Sequence, residues 1–167
     1  MLNNLGEEAR SSGDLDRAAA YLLEALALYQ DLGVLAGVAM VQNNMGCLAL
    51  GQGDSALAAE RFAESLPLCL SANNPQTISS FSLLGLAEVA VAQGRLERAA
   101  LLFGAVDKLT VTSGDPSEQL PPHDREDADR ALATARAGLG EQAFAAAWQA
   151  GTEMTLEQAA AYALEAV

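Results

Sequence analysis

Residues 51–66 read GQGDSALAAERFAESL, and near-copies flank them: SSGDLDRAAAYLLEAL at 11–26 and AQGRLERAALLFGAV at 92–106. Gly13, Gly53 and Gly94 take the same place in each, 40 and 41 residues apart. A constant period of that length marks a stacked-repeat architecture, in which each unit buries its apolar face against its neighbours. The question of function then shifts from which reaction to which surface.

Each glycine separates two segments of helical period. Leu2, Leu5 and Ala9 precede Gly13, and Leu15, Ala18, Leu22, Ala25 and Leu26 follow it. Met45 and Ala49, then Leu57, Ala58, Phe62 and Leu66, flank Gly53 in the same way. Leu83, Leu86 and Ala90, then Leu96, Ala99, Phe103 and Val106, flank Gly94. Such spacing predicts amphipathic helices in pairs. Glycine supplies the left-handed backbone that ends the first helix of a pair. Asp14 and Asp54 follow directly and are suited to cap the second helix, whereas Arg95 holds that place in the third unit. Ala18, Ala58 and Ala99 leave room for close approach within each pair.

These three units resemble tetratricopeptide repeats (TPR). The family's Leu-Gly pair is seen as Leu5-Gly6 and Met45-Gly46, its small second-helix residue as Ala18, Ala58 and Ala99, and its bulky residue four places on as Leu22, Phe62 and Phe103. The family's early Trp is absent, and Leu86-Ala87 stands where Leu-Gly belongs. The resemblance implies an all-α solenoid of three extended antiparallel helix pairs, about 1–33, 34–73 and 75–110, together spanning 1–110.

Beyond Lys108 the pattern changes. TVTSGDPSEQLPPHD predicts a polar Pro/Gly loop over 111–123, and 124–167 predict capping helices. Their expected spans are Asp124 to Ala137, ending at Gly138; Glu141 to Ala150, ending at Gly151; and Leu156 to Ala166, opened by a Thr155/Gln158 capping box. A cap of this kind covers the apolar end of the last repeat. The stretch from about 95 to 166 resembles the C-terminal end of large bacterial regulators that combine an AAA-like or STAND-type ATPase with a helical-repeat sensor and often a LuxR-type helix-turn-helix. Leu139-Gly140-Glu141, Phe144, Trp148, Gly151, Met154, Leu156 and Ala159 carry that resemblance. It implies the repeat region of such a regulator or a free-standing relative, acting in signalling or transcription regulation. The opening inside a repeat helix fits a fragment, and a short native protein can begin the same way.

Bulk properties narrow the partners. Of the 167 residues, 51% are hydrophobic and 5% aromatic, and the net charge is −13. That charge disfavours direct contact with nucleic acid or an anionic membrane surface. No apolar run nears the roughly 20 residues that span a bilayer, and MLNNLGEEARSS lacks a basic, apolar leader. Cys47 and Cys69 have no metal-ligand spacing and read as buried reduced thiols, which suits a cytoplasmic protein.

Catalytic signals are lacking. His123 is the sole imidazole and reads as a solvated loop residue; the pairs Glu7/Glu8 and Asp127/Asp129 read as solvated helix surfaces. No phosphate-binding Gly-x-x-x-x-Gly-Lys-[Ser/Thr], Gly-x-Ser-x-Gly or His-Glu-x-x-His occurs. The expectation is a non-enzymatic scaffold without cofactor or metal, binding a protein or peptide partner.

In tetratricopeptide folds the first helices of successive pairs line a concave groove. Carried over residue by residue, this resemblance puts Asn3, Glu7 and Arg10 in the groove from the first unit. Met40, Asn43, Cys47 and Leu50 come from the second, and Phe81, Leu84, Glu88 and Val91 from the third. A carboxamide both donates and accepts, so Asn3 and Asn43 are suited to hold a peptide backbone. The alternative is that Asn4 and Asn44 bond between helices and fix the packing. Phe81 and Gly85 stand where a carboxylate clamp would need cations, so the groove fits an apolar peptide, helix or small ligand. The alternative is that the chain's own tail or a second copy covers these side chains. Leu2 and Leu5 at the open end of the solenoid suggest weak homodimerisation.

Overall fold

The three period-setting glycines have φ values of 82° at Gly13, 80° at Gly53 and 74° at Gly94 in the computed structural model, a region in which L side chains are strained. Around them the chain closes the same pair of hydrogen bonds each time. Gly53 N–H donates to Leu50 O and Asp54 N–H to Ala49 O, both at 2.9 Å, and Gly13/Asp14 and Gly94/Arg95 repeat the pattern. Asp14 and Asp54 accept from the backbone N–H groups of Arg17 and Leu57, the caps their position predicts. Gly33, at φ 66°, makes the same turn between the first two units, a signal the 40-residue period does not isolate.

The structure describes residues 1–71, 75–113 and 120–165. Among them are nine helices and no strand: α1 Leu2–Ser11, α2 Leu15–Asp31, α3 Leu35–Gly51, α4 Ser55–Leu70, α5 Pro75–Ala92, α6 Leu96–Ser113, α7 Pro122–Leu139, α8 Glu141–Thr152 and α9 Leu156–Leu164. The architecture is an all-α helical-repeat solenoid with α1–α2, α3–α4 and α5–α6 as its helix pairs. Each helix packs on the next in sequence from α1 to α6.

Small residues set the helix spacing. Ala18, Ala58 and Ala99 are fully buried, as are Leu22 and Phe62, and Phe103 is nearly so. A Cβ on Gly6 would press on Leu22, and one on Gly46 would enter the Phe62 ring. Gly85 meets the same ring from the following unit, so Phe62 is clasped between α3 and α5. The cores divide accordingly: one lies among α1, α2 and α3, and a larger one joins α3 through α9.

The tail departs from its expected boundaries. Helix α6 continues through Ser113, and α7 starts at Pro122, so both ends of the 111–123 segment are helical; residues 114–119 of that loop lie outside the described residues. Proline is suited to a first helical turn because its missing N–H would have no partner there. Gly138 lies inside α7, and the chain turns at Gly140, with φ 78°. Gly151 lies within α8 and serves close packing: a Cβ there would strike Leu101 O and Ala105 N of α6, while one on Gly104 would strike the Trp148 backbone. This reciprocal contact brings α6 and α8 together almost backbone to backbone. Helix α9 opens with the expected capping box and ends at Leu164, with Ala166 outside the described residues. Arg98 Nη2 donates to the carbonyls of Tyr162 and Ala163 at 2.8 Å each, closing the end of α9.

Two glycine substitutions separate close packing from helix propensity. Gly151→Val drives a side chain into the backbone of α6 at Leu101 and Ala105 and should cost about 3 kcal/mol in urea unfolding. Gly51→Ala has nothing within 4 Å of the added methyl and should stabilise by about 0.5 kcal/mol.

Candidate functional site

The first helices α1, α3 and α5 present one face to a shared cavity of about 1000 Å³. Asn3, Glu7, Arg10, Met40, Asn43, Cys47, Leu50, Phe81, Leu84, Glu88 and Val91 all line it. Their spacing explains this: Phe81, Leu84, Glu88 and Val91 follow i, i+3, i+7 and i+10, one stripe of α5. The apolar members form much of the wall, and Met40 is 43% exposed.

The asparagines divide by role. Asn3 is only 4% exposed, and its Oδ1 accepts from Asn44 Nδ2 at 2.9 Å. This bond ties α1 to α3, so Asn3 lines the cavity with one amide atom already committed to packing. Asn43 is half-buried, lines the cavity, and accepts from Ser82 Oγ at 3.4 Å, a long bond that engages only its amide oxygen.

A further wall comes from the tail. Leu120, Pro121, His123, Asp124, Asp127, Arg130, Ala131 and Thr134 of α7 and its approach also line the cavity. The 124–167 segment is therefore more than an end cap: α8 and α9 pack on the last helices, while α7 packs on α5, α6 and α8 and walls one side of the groove. Arg10 Nη2 lies 2.8 and 3.0 Å from the two carboxylate oxygens of Asp124, a pair 114 residues apart. His123 is not a solvated loop residue. It sits in the first turn of α7 with its side chain 30% exposed, and its Nε2 is 3.2 Å from Asp124 Oδ1 without hydrogen-bond geometry. Asp127 faces the cavity from an exposed position and holds Arg130 at 2.9 Å.

The polar end of the cavity is electrostatically unusual. Burial pushes the Glu88 carboxyl up to about 8, Asp124 and Asp127 add to the rise, and Arg10 opposes it. At neutral pH Glu88 is therefore mainly protonated and able to donate a hydrogen bond. Burial also raises the Cys47 thiol, which disfavours the thiolate a nucleophile needs. Cys47 is only partly buried and lines the cavity, unlike Cys69, which is wholly enclosed. Among the described residues no group of His, Cys, Asp and Glu is arranged to hold a metal ion. No described helix is long and apolar enough to cross a membrane.

Residues 1–71, which span α1 to α4, match the family model of the tetratricopeptide repeat. Comparison with curated proteins and with solved structures gives no match. The first two helix pairs are thus similar to that family, and α5–α6 continues their geometry.

The raised Glu88 carboxyl makes stability fall as pH rises. Its folded-state value of about 8 exceeds the ordinary 4.5, so the folded chain binds the extra proton, and this contribution is fully present below about pH 4.5 and lost through about pH 8. Glu88→Gln should flatten the urea-unfolding stability profile between about pH 5 and about pH 9 and raise stability at the alkaline end.

Proposed function

We propose that this chain is a non-enzymatic binding scaffold whose concave groove receives a protein or peptide segment. The observation that carries the reading is the convergence of apolar side chains and carboxamides from three successive repeat units on one cavity. The second and third units put Met40, Leu50, Phe81, Leu84 and Val91 around one cavity with Asn43, a combination suited to an apolar segment with its backbone held by an amide. Similarity of residues 1–71 to tetratricopeptide repeats supports the same reading.

The finer assignment, to a bacterial ATPase or LuxR-type regulator, rests on the tail residues from Leu139 to Ala159 alone. The family match ends at residue 71 and does not reach them. A second reading, a free-standing receptor for a short peptide or small ligand, is favoured by the wall that α7 adds to the groove, whose volume is that of a ligand pocket.

Affinity capture with the immobilised chain tests the groove. Met40→Glu introduces a charge into it without filling the core and should abolish capture of a specific partner. Leu23→Glu, on an exposed part of α2 outside the cavity, should leave capture intact. Equal capture by both variants would move the docking site to another face. Where a partner is in hand, Asn43→Ala should weaken binding by about 1 to 3 kcal/mol. A melting-temperature rise with a small metabolite, and no captured protein, would favour the receptor reading.

The homodimer belongs to the same proposal. Met1 and Leu5 are exposed at the open end of the first helix pair, and Leu23, Leu28, Leu32 and Leu35 lie exposed on α2, α3 and the turn joining them. Sedimentation at rising concentration should show reversible dimerisation that Leu5→Glu reduces. A strictly monomeric wild type at every concentration would exclude it.

A further inference from the structure

Helix α7 meets the groove unevenly along its length. Its C-terminal half is anchored in the large core: Ala135 is fully buried, Leu139 packs beside it, Arg136 stacks over the Phe144 ring at 4.6 Å, and Gly138 lies against Leu96. Its N-terminal half is held by less. Arg125, Glu126, Asp127, Asp129 and Arg130 are exposed, Ala128 is buried at 8% exposure, Leu120 just before the helix is partly buried against the core, and Asp124 reaches across to Arg10.

The Arg10–Asp124 pair has an unfinished geometry. The Arg10 side chain is only 9% exposed, yet Asp124 meets it through Nη2 alone and its Nε is buried without a hydrogen-bond partner. A side-on guanidinium–carboxylate pair would use two nitrogens and bind more firmly. The charges facing this end are Glu7 and Arg10 from α1, Glu88 from α5, and His123, Asp124, Asp127 and Arg130 from α7, with the Cys47 thiol from α3. Glu88, Asp124 and Asp127 line the same end of the cavity.

We propose that α7 is a movable wall of the groove, latched at its N-terminal end by Arg10–Asp124, and that the groove widens when this half of α7 lifts away from α1 and α5. The well-packed half from Ala135 to Leu139 is the hinge end. The latch gives the groove reading a gated entrance and rests on that reading for its meaning. Its geometry stands independently of any partner.

Cys47 reports widening because it is half-buried in the cavity that α7 walls. In the full chain carrying Cys69→Ser, which leaves one thiol, labelling by N-ethylmaleimide reads the accessibility of Cys47. Asp124→Asn keeps the shape and removes the charge. It should speed labelling about tenfold, the effect of losing charge assistance from a hydrogen-bonded pair. Amide exchange should rise in residues 122–131 and keep its protection in α8. Unchanged labelling overturns the latch, and so does faster labelling with a parallel loss of protection in α8, which is general loosening. Neither readout needs a partner, so failure of the latch and failure of the groove as a docking site are told apart.

Discussion

The Phe62 ring is the contact on which the arrangement of the later units depends. It projects from α4 into a slot made by two absent side chains, Gly46 on α3 and Gly85 on α5. A flat ring between two glycines lets both first helices approach one second helix closely, and so fixes their separation. That separation is the width of the groove, because Cys47 follows Gly46 and Leu84 precedes Gly85 on the cavity side. Core and site are therefore two faces of the same helices: the stripe that clasps Phe62 packs, and the neighbouring stripe faces the cavity. The first unit repeats the device at smaller scale, with Gly6 against Leu22.

The tail then converts an open concave face into a bounded one. Close contact at Gly104 and Gly151 binds α8 to α6, and Gly140 turns the chain so that α7 lies over the groove side of α5. Once α7 is in place, its acidic residues meet those of the floor. The result is a cavity apolar over much of its wall and electrostatically crowded at one end, where a buried carboxyl holds its proton near neutral pH. Arg10 and Arg130 are each engaged by an aspartate of α7, so the cations present at this end are already paired within the chain.

Much of this is legible in the amino-acid order because its determinants are local. The turns at Gly13, Gly53 and Gly94 and the caps at Asp14, Asp54 and Thr155 require only neighbouring residues. The groove stripe follows from helical period once the repeat is recognised. The course of α7 was not legible. Its first half is polar on most sides, and an alanine such as Ala128 or Ala135 marks a buried point without specifying which helix covers it. Asn3 illustrates the same limit: its amide type suits either a ligand or a neighbouring helix, and the choice turns on Asn44, 41 residues away. Gly151 read as a helix end, yet a glycine also permits close contact, and only the presence of α6 distinguishes the two uses.

Sequence alone determined the helix pairs, their period, their caps and the stripe of residues that shares a face, because these depend on interactions within a few turns of one chain segment. Tertiary structure decided what that face encloses. Arg10 finds Asp124 across 114 residues, and Glu88 is raised by burial within the assembled helices and by the charges of Asp124 and Asp127. Electrostatic and packing energies of this kind depend on distance in space, which residue order constrains only through the completed fold.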